Sequence, residues 1–198
     1  VAEFAPALEF VLPHEGGYSN NPNDTGGETM YGITTRTARA YGYTGPMRDL
    51  PLSVASAIYA SEYWPGLEYV NDQAVASKIL DMRVNFGVGG ATRLVQIAVN
   101  NLVEPATAVD GGWGPDTLES VNAAPPADLV AELANVAAAH YEAIAASDPK
   151  KAGFLRGWLN RAKDLPPMAL AAVAGGGGLV LLLLIGGAIW ITQKGGRA

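Results

Sequence analysis

A run of 29 residues, Leu165 to Gln193, carries no charge. Within it Met168 to Thr192 is almost wholly apolar. A helix needs about 20 such residues to cross the hydrocarbon core of a bilayer, so the run is long enough to span one with some tilt. Trp190 suits the headgroup level, and Lys194 and Arg197 lie just beyond. Gly175 to Gly178 are poor helix formers in water, but glycine is tolerated in membrane helices because the backbone cannot trade its bonds for solvent there. The competing reading is a buried core helix with a glycine linker; length favours the span. The chain is therefore expected to divide into a folded part ending at residue 164, a transmembrane helix over 165–193 and a short basic tail, 194–198.

The folded part is acidic. All 19 Asp and Glu lie at or before Asp164, against eleven Lys and Arg there, a net of −8. Such a surface repels phosphate backbones, which argues against nucleic acid as a partner. The absence of cysteine excludes disulfides, thiolate metal sites and cysteine nucleophiles. With only His14 and His140, a histidine-rich metal site is not expected either, and no cofactor is implied. Val1 to Leu12 holds Glu3 and Glu9 and no basic residue, so it does not read as a secretory signal.

Periodicity predicts a mainly helical fold. Val75, Ile79, Met82 and Phe86 recur at i, i+4, i+7 and i+11, one helical face. Leu129, Leu133, Val136 or Ala137, and Ile144 do the same within 128–146. Pro51 opens a helix over 52–64 that stops before Pro65. Shorter helices are expected over 4–12 and over 34–41, the second ended by Gly42. Between Glu15 and Gly32 the chain is dense in turn formers and lacks a helical period, which predicts a long loop or a short irregular hairpin. A second turn-rich stretch, Val109 to Thr117, leads into a helix starting at Pro115.

Two carboxyls in unlike settings flank that loop. Glu15 follows the apolar Phe10-Val11-Leu12, where low-dielectric packing suits a proton donor. Gly16 and Gly17 leave space for a bulky substrate. Asp24, in a polar loop, is suited to stay ionised, with Thr29 able to hold a water beside it. Cleaving a glycosidic bond requires such a pair: an acid for the leaving oxygen, and a group on the opposite face for water or charge. Glu28 is a rival second carboxylate, and Asp24 also fits an ordinary Asx turn. Asp81 and Asn85 are four apart and share a helical face; they would either hydrogen-bond a glycan or satisfy loop backbone. Tyr18, Tyr31 and Trp64 offer rings for sugar stacking, although aromatics in a small helical domain are more often core.

These residues carry a resemblance. Glu15-Gly-Gly-Tyr18 followed by Asn23-Asp-Thr-Gly-Gly-Glu-Thr-Met-Tyr-Gly-Ile-Thr34 resembles the signature of glycoside hydrolase family 108, phage and prophage muramidases in which the glutamate of Glu-Gly-Gly-Tyr is the proposed catalytic acid. It continues through Ile58-Tyr59, Tyr63-Trp64, Asp81 and Val84-Asn85-Phe86-Gly87. Asp110 to Thr117 and Phe154 to Arg161 are similar to the peptidoglycan-binding region usually fused to that family. The order of Glu15, Asp24 and Thr29 is also similar to that of the Glu, Asp and Thr of phage-type lysozymes. The resemblance implies a lysozyme-like helical domain with a small hairpin lobe. It further implies a catalytic region over 1–88, a helical peptidoglycan-binding-like region over 89–164 packed on it, and catalytic roles for Glu15, Asp24 and Thr29. Tyr18, Tyr31, Asp81 and Asn85 would contact substrate. Peptidoglycan glycan strands are the expected partner, with the bilayer at Met168–Thr192 and, for a phage-borne lysin, virion proteins.

Upstream of the apolar run lie Lys150, Lys151, Arg156, Arg161 and Lys163, against two cations downstream. Taken alone, the positive-inside rule leaves the folded part on the cytoplasmic side, held from the wall until lysis or delivery, and a virion-carried protein that inserts during infection is equally compatible. Three other readings stay open at this stage. A lytic transglycosylase needs a single glutamate, a membrane-anchored wall binder needs none, and a third reading makes the apolar helix the working part, a membrane-permeabilising element.

Overall fold

A computed structural model describes residues 1–20 and 27–167 of the chain. The expected span at Met168–Thr192 and the residue Asp24 lie outside the described residues. Among those described, no helix is long and apolar enough to cross a membrane.

The architecture is mainly helical with one two-stranded sheet. Helix α1 runs Phe4–Glu15. Strands β1, Thr29–Met30, and β2, Ile33–Thr34, pair antiparallel. Helices α2, Thr35–Ala40, and α3, Leu52–Glu62, complete a small lobe. The larger body holds α4, Gln73–Phe86, α5, Val88–Asn100, α6, Pro115–Ala123, α7, Pro126–Ser147, and α8, Leu155–Lys163.

Two apolar cores meet at α1. One gathers Leu8, Ile33, Met47, Leu50, Ile58 and Tyr59 between α1, the hairpin and α3. The other gathers Ala7 and Val11 of α1 with α4, α5, α7 and Ala162 of α8. Neighbouring positions on α1 thus point into different cores, and the C-terminal end of α1 emerges at their junction. Helix α4 is the axis of the larger core. Every residue from Ala74 to Arg83 is buried, where periodicity predicts a single apolar face. Burial on all sides is offset in part by hydrogen bonds from the charges the helix carries. Lys78 donates to the carbonyls of Arg161 and Asp164 at 3.2 and 2.7 Å. Arg83 donates to the carbonyls of Tyr63 and Pro65, both at 2.9 Å, beneath the Trp113 ring.

Helix α1 does not stop at Leu12. It continues through Pro13 to Glu15 and ends where Gly16 takes a φ of 70°. Pro13 has no amide hydrogen for the Glu9 carbonyl, so the helix forgoes one bond in its last two turns and still continues. The consequence is that Glu15 belongs to the last helical turn and inherits its direction.

Candidate active site

Glu15 projects from the end of α1 into the junction of the two lobes, its side chain 14% exposed. Its Oε1 accepts from Nη2 of Arg161 at 2.6 Å. Arg161 lies on α8, so a residue 146 positions away closes on the carboxyl. The same guanidinium is anchored from the other side: Nε and Nη2 stand 3.0 and 2.9 Å from Oδ1 of Asp81. Lys78 sits 3.8 Å from the second Asp81 oxygen. Burial works against the Arg161 charge, but Asp81 and then Glu15 outweigh it and raise its pKa.

The second oxygen of Glu15 faces the hairpin. The β1–β2 turn is Tyr31-Gly32, both with positive φ, 51° and 68°, the backbone demanded by a two-residue hairpin with the right twist. A Cβ on Gly32 would stand 2.5 Å from Oε2 of Glu15 and 3.1 Å from the Tyr59 hydroxyl. The Tyr59 hydroxyl donates to the Tyr31 carbonyl at 2.8 Å, which braces the turn against α3. Burial, and then the Glu15 charge, raise the Tyr59 pKa, so this brace keeps its proton. Arg161 also lines a shallow open groove with His14, Trp158, Asn160 and Lys163.

The Glu15 carboxyl is thus mostly buried, with one oxygen held by a cation and the other at a glycine turn. Residues 8–87 match the family model described as Glycosyl hydrolase 108. Residues 90–163 match the Predicted Peptidoglycan domain. The solved structure of Brucella abortus SagA is 28% identical and superposes with a TM-score of 0.68, over 85% of this chain and 94% of that one. No curated protein matches the chain. Over residues 8–87 the chain is therefore similar to the glycosyl hydrolase 108 family. Together the two matched domains indicate a glycosyl hydrolase that degrades peptidoglycan.

Within the glycosyl hydrolase 108 region, the other expected site residues take varied positions. Thr29 is half-buried in β1, where its backbone exchanges bonds of 2.8 and 2.9 Å with Ser19. Tyr18 donates to Glu28 at 2.7 Å, and the Arg48 guanidinium covers its ring at 4.4 Å. Glu28 is therefore already engaged. Tyr18 and Tyr31 both pack, half-buried, on the smaller core. Trp64 is packed edge-on against Phe4. Asp81 is 3% exposed, with its oxygens directed at Arg161 and Lys78. Asn85 is exposed and donates to the Tyr141 hydroxyl. Sequence reasoning missed Arg161 and Gly32 as members of the site. Gly32 stood in the Met-Tyr-Gly of the quoted motif, while Arg161 stood in the second region and among the cations before the apolar run.

Proposed function

We propose that the chain is an N-acetylmuramidase that hydrolyses the β-1,4 bond between N-acetylmuramic acid and N-acetylglucosamine, with Glu15 as general acid. The observation that carries this is the placement of the Glu15 carboxyl, mostly desolvated at the meeting of the two lobes, with Oε2 turned to Gly32. In the step proposed, the C1–O bond breaks and its electron pair stays with the leaving oxygen, which takes the Glu15 proton. Water then bonds to C1 and yields its proton to a second carboxylate. Asp24 is proposed for that role, with Thr29 beside the water; Asp81 and Glu28 are engaged within the protein. Tyr18, Tyr31 and Asn85 are proposed substrate contacts at the rim. Residues 1–88 and 89–164 are proposed as the two functional regions. The bilayer anchor at Met168–Thr192, and virion proteins as partners, belong to the same proposal and rest on sequence.

The test is Glu15→Gln, assayed by clearing of purified peptidoglycan and by mass spectrometry of the products. Loss of a proton donor should lower turnover by about 10²–10⁴, and Asp24→Asn should follow it by orders of magnitude. Wild-type clearing by the Gln variant removes the reading. Products ending mainly in 1,6-anhydro sugars replace hydrolysis by lytic transglycosylation.

A further inference from the structure

We propose that the second region completes the catalytic centre: Arg161 is a positioning residue that holds Oε1 of Glu15 and so makes Oε2 the oxygen that delivers the proton. This rests on Glu15 being the general acid.

The guanidinium is held before it holds anything. Two of its nitrogens reach Oδ1 of Asp81 at 2.9 and 3.0 Å, and Asp81 is fixed on the fully buried stretch of α4. From that mount Nη2 reaches Glu15 Oε1 at 2.6 Å, a charge-assisted bond. The Arg161 and Glu15 side chains are 16% and 14% exposed, so water screens the pair little. Among the described residues Arg161 is the cation bonded to Glu15. The other cation of the cluster, Lys78, faces Asp81 and backbone carbonyls.

In the protonated form that the acid role requires, Oε1 accepts from the guanidinium and Oε2 is the oxygen left to bear the proton. That oxygen lies at Gly32, where the hairpin turn has no side chain. When the proton passes to the glycosidic oxygen, Glu15 goes from neutral to anionic. The guanidinium already aligned on Oε1 stabilises the carboxylate as it forms, with no reorganisation at the moment of reaction. A lysine would supply charge without the planar fork that spans Asp81 and Glu15 together. Helix α8 lies in the stretch that matches the peptidoglycan domain. That stretch therefore acts on the chemical step as well as on any attachment to the wall.

The experiment uses the full chain and two substrates: a soluble β-1,4-linked muropeptide tetrasaccharide, for which wall attachment is irrelevant, and intact sacculi for sedimentation binding. Arg161→Gln should lower kcat on the tetrasaccharide by about 100-fold or more, with KM within about threefold and sacculus binding unchanged. Arg161→Lys should recover part of kcat. The proposal is overturned if kcat of Arg161→Gln stays within about threefold of wild type, or if the loss falls on KM or sacculus binding alone. If Arg161→Gln does not fold because Asp81 is left unanswered, Arg161→Gln/Asp81→Asn removes both charges, and wild-type kcat in that variant also overturns it. Glu15→Gln is run in parallel. An active Gln variant removes the acid reading itself, whereas an inactive one beside a fully active Arg161→Gln removes only the role of Arg161.

Discussion

Gly32 is where backbone conformation and chemistry meet. Its φ of 68° is costly for any side chain, and a methyl group there would press on Oε2 of Glu15 at 2.5 Å. Because Arg161 holds the other oxygen, the carboxyl has little freedom to turn aside. Gly32→Ala should therefore retain the fold, since Gly32 itself is exposed, yet lower kcat on a soluble glycan by about 100-fold. Unchanged kcat would show that the hairpin does not confine the carboxyl. At this scale the sequence was legible in part. Glu15 announced itself through the Glu-Gly-Gly-Tyr motif beside an apolar helix. Arg161 did not, because its partners are 80 and 146 positions away and nothing local marks it. Asp81 shared a helical face with Asn85, but only the third dimension shows that it points at Arg161.

At the level of elements, helices with strong punctuation were readable and those without it were not. The helices now seen as α1, α2, α3, α4, α6 and α7 were expected, with ends misplaced by a few residues. Helix α5 escaped because it opens Val88-Gly-Gly, a weak beginning on propensity grounds that is offset by burial of Leu94, Val95, Ala98 and Val99. Helix α8 escaped because Arg156, Arg161 and Lys163 dominate its short sequence. Its orientation comes from Trp158, stacked on Tyr141 of α7 with centroids 5.2 Å apart. The start of α4 is set by Asp72, whose Oδ1 accepts from the Val75 amide at 3.0 Å. Asp72→Ala removes that cap and should cost about 1 kcal/mol, read as a lower urea midpoint at unchanged slope. No shift would mean that packing alone positions the first turn of α4.

On the scale of the whole molecule, one large core ties both matched regions together, with Val11 of α1, Ile79 of α4, Val95 of α5 and Leu133 of α7 in a single cluster. The two cores bury phenols as well as aliphatics. Burial raises the Tyr141 hydroxyl from 10.0 to about 12, and raises Tyr59 and Tyr63 in the same direction. The unfolded phenols lose their protons near pH 10 while the folded ones keep theirs, so this contribution is complete below pH 10 and declines as pH climbs toward 12. For Tyr141, 4% exposed, the two-unit difference corresponds to about 2–3 kcal/mol. Lys78 acts in the opposite sense, since burial lowers its pKa and it sheds its proton earlier when folded. Arg83, whose pKa burial lowers to about 10, acts in the same sense as Lys78. Four raised phenols, Tyr41, Tyr59, Tyr63 and Tyr141, thus stand against two lowered cations and leave a net loss. Urea unfolding should show lower stability at pH 11.5 than at pH 9, and Tyr141→Phe should flatten the decline. Equal stability at both values would refute it.

Local chemistry written along the chain was enough to specify helices, a turn-rich hairpin lobe, an acidic surface and a candidate proton donor, because caps, periodicity and glycine turns act over a few residues. The uncharged run after Asp164 is likewise a property of composition. What only the folded chain decided is which charges meet. The cation on Glu15 comes from a helix that resembles a basic surface segment in sequence, and Asp81 serves that cation. Long-range pairs of this kind leave no periodic trace, since the energy that selects them arises only when water is excluded from around both partners.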